Sequence, residues 1–158
     1  MPTSAQARTL FKSWAGLKEG PQVDKKIINP WSKKTGRKGI KSKSVPWCAI
    51  SCASCLIQIG VKKLSTSAAC TTQLKWYKSK KRFKSRGTKP AVGDLVFYNF
   101  HKKKNQNVSS HMGMVTSVEY KKKGYIYVIE GNKGDKVAYR HISYSSASIV
   151  GFGKPYYK

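Results

Sequence analysis

A change in residue pattern at Pro90 constrains the fold of this chain more than any other feature of its sequence. Downstream of Pro90, short segments rich in Val, Ile, Tyr and Phe follow one another closely, with Gly, Asn, Lys or Ser between them. Such residues favour strands, and strands at this spacing favour an antiparallel meander. The expected strands are 95–100, 111–120, 124–132, 137–143 and 148–153.

Upstream of Pro90, the apolar residues recur at helical spacing. Residues 46–60 are apolar nearly all round, which predicts a buried helix that starts after Pro46 and ends at Gly60. Helices followed by strands predict an α+β domain, in which N-terminal helices pack on an antiparallel sheet of about five to six strands.

The remaining helical predictions rest on shorter signals. Ser4 is expected to cap a helix that runs to about Glu19. Two further helices are expected, and Lys-, Ser- and Gly-rich residues 31–45 are expected to form a loop. The two helices are 24–30, closed before Pro30, and 70–80.

Positive charge dominates the composition. The chain has 32 Lys and Arg residues against 6 Asp and Glu residues, a formal net charge of +26, and only five of the basic residues are Arg. Lys is a mobile point charge, whereas Arg forms fixed bidentate contacts. The composition therefore predicts attraction to a polyanion. The Lys runs at 33–34, 102–104 and 121–123 are expected to lie in turns.

The same charge leaves a nucleic-acid-binding module as the alternative function, because the sequence pI is about 10.2. Helix-turn-helix, zinc-finger and RRM patterns are absent from the sequence, so no specific nucleic-acid partner is expected. No run of about 18 apolar residues occurs either, so no transmembrane segment is expected.

Cys48 is the candidate nucleophile. It occupies the first turn of the expected helix, where unpaired N–H groups and the helix dipole stabilise an anion. Both effects favour the thiolate, which is the reactive form of cysteine. Cys52 and Cys55 lie deeper in the helix and are expected to be small buried apolar residues without a metal.

His111 is the candidate general base for that thiol. It opens an expected strand, and Gly113, two residues later, shares its face and leaves room there. Glu130 and Asn132 end the next expected strand and are also two residues apart. Either could orient the second ring nitrogen of His111, and the pattern does not choose between them. A nucleophile on a helix and its partners on a sheet have the outline of a papain-like site.

Five motifs follow one another along the chain: PWCA at 46–49, PAVGDLVFY at 90–98, HMGMV at 111–115, VIEGN at 128–132 and IVGFGKP at 149–155. In this order they resemble the CHAP domain, the family of cysteine- and histidine-dependent amidohydrolases/peptidases. Residues 14–20 (WAGLKEG) also resemble the start of phage endolysin CHAP domains. The resemblance covers nearly the whole chain.

The resemblance implies a peptidoglycan hydrolase that cleaves an amide bond, as an N-acetylmuramoyl-L-alanine amidase or as an endopeptidase. The family's catalytic positions match Cys48, His111, Glu130 and Asn132. We expect the Cys48 N–H to be one oxyanion donor. The sequence does not identify the second donor, and segment 40–45 is the place to look for it. Trp47 and Tyr98 are expected to line the substrate groove.

Some CHAP domains bind calcium through Asp residues around the catalytic cysteine. Here the flanking residues include Lys41, Lys43 and Ser51 and no carboxylate, so no metal and no cofactor are expected.

Residues 1–158 are expected to form a single, monomeric catalytic domain with no separate cell-wall-binding domain. We expect the Lys-rich surface to attract anionic teichoic acid or lipopolysaccharide. The N-terminus lacks a signal-peptide pattern, which favours a phage lysin that resides in the host cytoplasm before release and then acts on the cell wall. A bacterial autolysin or effector with the same chemistry is the alternative.

Overall fold

Helices occupy the N-terminal half of the chain and strands the C-terminal half, which confirms the predicted α+β class. The computed structural model describes residues 1–101, 105–119 and 121–158. The Lys102–Lys104 run, expected to be a turn, lies outside the described residues.

The first helix, α1 (Ser4–Ser13), is shorter than predicted. Its N-cap is Thr3 and not Ser4: the Thr3 hydroxyl accepts from the N–H of Gln6, whose side chain accepts from the Thr3 N–H. The helix stops before Glu19 because the following backbone pairs with a distant segment. Gly16 N–H donates to the Val137 carbonyl, and the Glu19 N–H donates to the Asp135 carbonyl.

The second helical region runs through Pro30, where the sequence predicted its end. It comprises α2 (Pro21–Val23), a π-helical segment (Asp24–Ile28) and α3 (Asn29–Thr35). Pro30 has no N–H for the Lys26 carbonyl, and the side-chain amide of Gln58 donates to that carbonyl instead, at 2.9 Å. The predicted loop therefore starts at Gly36, and the Lys33–Lys34 pair lies in α3 and not in a turn.

The two remaining helices lie where the sequence predicted them. Helix α4 spans Cys48–Ile59, with Trp47 as its N-cap and Gly60 in a left-handed conformation as its C-cap. Helix α5 spans Cys70–Ser79. Among the described residues, no helix is long and apolar enough to span a membrane.

Among the described residues, six antiparallel strands form one sheet in the order β1-β6-β2-β3-β4-β5. Strands β2 to β5 form the expected meander, and β6 returns to pair with β2. The sequence did not single out β1, a short edge strand paired with β6. The strands are β1 (Phe83–Ser85), β2 (Leu95–Tyr98), β3 (His111–Val118), β4 (Tyr125–Glu130), β5 (Ala138–Ser143) and β6 (Ile149–Gly153).

Helix α4 packs directly on the sheet and so brings the start of α4 close to β3. Every residue of α4 from Cys48 to Leu56 is buried. Gly131, just after β4, permits the close approach, since a Cβ there would lie 2.7 Å from the Ser51 Cβ. The sheet's opposite face carries a second apolar cluster that includes Val96 and Val128.

Candidate active site

Cys48 is the first residue of α4 and is buried, with 5% of its surface exposed. Trp47 makes no side-chain hydrogen bond that caps the helix. The first-turn N–H groups are therefore not occupied by a capping side chain, which favours negative charge at the Cys48 position.

His111 opens β3 and is held by Glu130 at the end of β4. The His111 Nε2 and Glu130 Oε1 atoms lie 2.8 Å apart. This contact leaves Nδ1 as the ring nitrogen that can face Cys48, and the interaction with Cys48 helps to raise the pKa of His111. The structure thus brings together Cys48, His111 and Glu130, three residues that the sequence separates widely.

Glu130 is fully buried and is surrounded by donors. The Tyr98 hydroxyl donates to its Oε2 at 2.8 Å, and Arg140 donates through Nε to Oε2 at 2.8 Å and through Nη2 to Oε1 at 3.0 Å. Burial raises the pKa of this carboxyl, but the hydrogen bonds from His111 and Arg140 outweigh it and the pKa of Glu130 is lowered. The group that faces His111 is therefore an anion.

Asn132 occupies a different position. It follows β4 in a left-handed turn, with a φ of 59°, and lines the groove beside His111. No hydrogen bond joins its side chain to His111 in the part of the chain that the structure describes. Of the two residues that the sequence left open, Glu130 is the one that contacts the imidazole.

Gly113 makes space for the buried carboxylate. A Cβ at this position would lie 2.6 Å from the Glu130 Cγ and 2.7 Å from the Val128 Cγ1. The expectation that Gly113 leaves room on the face of His111 is confirmed, and the side chain that uses the room is Glu130.

Cys70 is a neighbour of Cys48 that the sequence did not indicate. It is the first residue of α5, and its Sγ lies 3.5 Å from the Cys48 Sγ. The hydrogen bond from the Cys70 thiol has the largest effect on the pKa of Cys48 and lowers it. Burial raises this pKa, but the further lowering by His111 leaves it at about 5. The same hydrogen bond and burial raise the pKa of Cys70 far above its ordinary value, so Cys70 stays protonated beside Cys48.

The pKa of His111 is shifted in the opposite direction to that of Cys48. Burial alone would lower the pKa of His111, but the hydrogen bonds to Cys48 and Glu130 raise it to about 9. Because the pKa of Cys48 is the lower of the two, the resting pair at neutral pH is a thiolate and an imidazolium.

Trp47 and Tyr98 do not line a groove, contrary to expectation. Neither side chain has any exposed surface. Each donates a hydrogen bond to a carboxylate inside the protein. Trp47 Nε1 donates to Glu19 Oε1 at 3.0 Å, and the Tyr98 hydroxyl donates to Glu130. An open groove of about 450 Å³ lies beside His111 instead, and its walls include Phe100, Asn132, Lys133 and Arg140.

Two N–H groups of segment 40–45, the place to look for a second oxyanion donor, bond to other partners. Ser42 N–H donates to Asp24 Oδ1 at 2.7 Å, and Ser44 N–H donates to the Lys41 carbonyl. Within residues 1–101, 105–119 and 121–158, no group of three or more His, Cys, Asp or Glu side chains is arranged to hold a metal ion.

Comparison with known families identifies the region that carries this geometry. A model of the CHAP domain matches residues 40–132, more than half of the chain. The match includes Cys48, His111, Glu130 and Asn132 but ends before Arg140. No curated protein matches the chain.

Proposed function

The chain belongs to the CHAP domain family of cysteine- and histidine-dependent amidohydrolases, and on this premise we propose that Cys48 is its nucleophile and His111 its general acid and base. The family implies hydrolysis of an amide bond in bacterial peptidoglycan. The observation that carries our assignment is the 2.8 Å contact between His111 and Glu130, together with the opposite pKa shifts that Cys48 and His111 cause in each other.

The reaction begins with attack of the Cys48 thiolate on the carbonyl carbon of the scissile amide. The Cys48 N–H, at the start of α4, donates to the oxyanion that forms. His111 then gives its proton to the leaving amine, and a thioester remains on Cys48. Water, deprotonated by His111, hydrolyses the thioester and regenerates the thiol.

Glu130 acts on the imidazole and not on the substrate. Its negative charge stabilises the imidazolium, and its hydrogen bond to Nε2 fixes the ring so that Nδ1 faces the sulfur. Arg140 and Tyr98 hold the carboxylate in turn. Glu130 is thus a positioning residue.

The rate of wall hydrolysis should follow a bell-shaped pH profile. Activity should be lost below about pH 5, where Cys48 becomes protonated, and above about pH 9, where His111 loses its proton. The measurement is kcat/KM on a soluble muropeptide across this range. An acid limb near the ordinary thiol pKa would contradict the thiolate–imidazolium pair.

We propose that the bond cut is the muramoyl–alanine amide or a peptide bond of the stem or cross-bridge. Mass spectrometry of purified peptidoglycan after digestion distinguishes the two. An amidase releases peptides with a free N-terminal alanine, whereas an endopeptidase leaves a shortened stem on the sugar. New reducing sugar ends without new amino groups would contradict both.

We further propose that the positive surface attracts anionic envelope polymers, either teichoic acid or lipopolysaccharide. Among the described residues, Asp135 is the one Asp or Glu that is exposed. Glu19, Asp24, Asp94, Glu119 and Glu130 are buried or half-buried and each accepts from a specific partner. Few surface carboxylates are therefore left to offset the Lys residues.

Lysis of whole walls should weaken as salt rises, by roughly tenfold or more between low and high salt, because steering by a charged surface is screened. Turbidity clearing of purified walls measures the effect. Hydrolysis of a small uncharged muropeptide is the control and should change little. Equal salt dependence for both substrates, or none for either, would contradict the role of the surface.

We propose an endolysin as the biological setting. The enzyme would act as a monomer, reside in the host cytoplasm before release, and reach the wall from inside. A bacterial autolysin or effector would use the same catalytic residues, so the chemistry proposed above is independent of this setting.

A further inference from the structure

The sulfur atoms of two cysteines lie close together at the start of α4. The Sγ atoms of Cys48 and Cys70 lie 3.5 Å apart, and both residues are free cysteines. A disulfide needs about 2 Å, so the sulfurs must close by roughly 1.5 Å.

The contact is held by the packing of α5 against α4. The Gln73 side chain is buried and donates to the Ala49 carbonyl at 3.0 Å, one residue from Cys48. It also donates to the Ser67 carbonyl at 2.8 Å, which ties down the chain just before α5. The first turn of α5, with Cys70, therefore stays beside the first turn of α4.

The thiols of Cys52 and Cys55 have different surroundings from that of Cys48. Cys52 and Cys55 are fully buried, and burial raises the pKa of both. The Cys55 thiol donates to the Ala7 carbonyl. Cys48 is thus the acidic thiol of the four, and peroxides react with thiolates.

We propose that Cys48 and Cys70 form a redox-modification site, at which a hydroperoxide converts the nucleophile reversibly into an intramolecular disulfide. The site itself rests on the sulfur–sulfur geometry alone. Its effect on activity rests on the proposed role of Cys48.

The chemistry proceeds in two balanced steps. The Cys48 thiolate attacks hydrogen peroxide, the O–O bond breaks, and the products are a sulfenic acid and, after one proton is taken up, water. The Cys70 sulfur then attacks the sulfenic sulfur, the S–O bond breaks, and the hydroxyl leaves with the thiol proton as a second water. Overall, two thiols lose two electrons to the peroxide.

The disulfide would remove the thiolate and stop hydrolysis, but it would also spare Cys48 from irreversible oxidation to the sulfinic acid. A cellular thiol pool reverses a disulfide and does not reverse a sulfinic acid. Cys70 thereby serves as the resolving cysteine for the nucleophile.

Peptide mapping tests the site directly. The wild-type protein is treated with graded hydrogen peroxide, alkylated without reduction and digested with trypsin. Cleavage after Lys43, Lys62, Lys63 and Lys75 leaves Cys48 in peptide 44–62 and Cys70 in peptide 64–75. We expect a linked pair of these peptides, with fragment ions that assign the bond to Cys48, and full recovery of lysis after dithiothreitol.

Three variants complete the test. Cys55→Ala keeps both partners and should give the same linked peptides. Cys70→Ser and Cys70→Ala should give none, and their Cys48 should accumulate as sulfinic acid with a loss of lysis that dithiothreitol does not restore. Thermal unfolding before oxidation verifies that both Cys70 variants are folded.

The inference is overturned if oxidised wild-type protein carries no 44–62/64–75 link, or if the Cys70 variants recover as fully as the wild type. A linked peptide pair in a protein that fails to hydrolyse walls would leave this inference standing and contradict the proposed function. The two proposals can therefore fail separately.

Discussion

Replacing Cys48 with Ala should abolish hydrolysis of purified cell walls, with a loss of roughly 10⁴-fold or more. The remaining thiols cannot substitute for it. Cys52 and Cys55 are fully buried with raised pKa values, and Cys70 is a neutral donor whose pKa is far above the ordinary one. Turbidity clearing and release of soluble muropeptides are the measurements.

Cys48→Ser provides a stricter version of this experiment, because it keeps a nucleophilic atom at nearly the same volume. A hydroxyl does not ionise beside His111 as the thiol does, so we expect a loss close to that of Cys48→Ala. Cys55→Ala is the matched control, since it removes a thiol from the same helix outside the site, and it should retain lysis. Clearing by Cys48→Ala at the wild-type rate would refute the mechanism.

Replacing Glu130 with Gln should lower kcat by about 10²- to 10⁴-fold. The two carboxylate oxygens of Glu130 accept hydrogen bonds from His111, Tyr98 and Arg140. The amide of Gln has a single acceptor oxygen, and its NH₂ group would face donors with which it cannot pair. Without the negative charge, the pKa of His111 should fall from about 9, and the alkaline limb of the pH profile should move to lower pH. The profile of kcat/KM measures this shift.

Two further measurements distinguish this loss of activity from unfolding. They are the stability of Glu130→Gln and the pH profile of a matched variant, Asn132→Ala. Leaving Arg140 without its carboxylate should lower the free energy of unfolding by about 3 kcal/mol, measured by urea denaturation, because a largely buried ion pair is broken. Asn132→Ala changes the neighbouring groove residue and should leave the alkaline limb in place. If Asn132→Ala moved that limb and Glu130→Gln did not, Asn132 would be the residue that orients His111.

The features that could be predicted from the sequence have local causes. The apolar run between Pro46 and Gly60 predicts α4, and the place of Cys48 in its first turn follows directly. The alternating strand that starts at His111 is equally local. For such segments, periodicity and end signals are sufficient.

What could not be predicted depends on contacts between distant residues. Helix formation across Pro30 is accompanied by a hydrogen bond from the distant Gln58 side chain, and the contact of Cys70 with Cys48 depends on the packing of α5 on α4. Arg140 carried one weak signal, since it is an Arg within a strand of a chain whose basic residues are mostly Lys. Its two bonds to Glu130 depend on the register of β5 against β4.

The alternation of side chains along a strand was not sufficient to choose between Glu130 and Asn132 as the partner of His111. Residues two apart share a face only while the strand continues. Strand β4 ends at Glu130, and Asn132 already lies in a left-handed turn, so the alternation of the strand no longer applies to it. The burial of Trp47 and Tyr98 was equally invisible, because their carboxylate partners come from other parts of the chain.

The most direct test of the central claim is the rate at which iodoacetamide alkylates Cys48 as a function of pH. It is followed by mass spectrometry of peptide 44–62 and by residual lysis in the same samples. We predict an inflection near pH 5 and a loss of lysis in step with modification of Cys48. An inflection near the ordinary thiol pKa, or full lysis by protein completely alkylated at Cys48, would contradict the account.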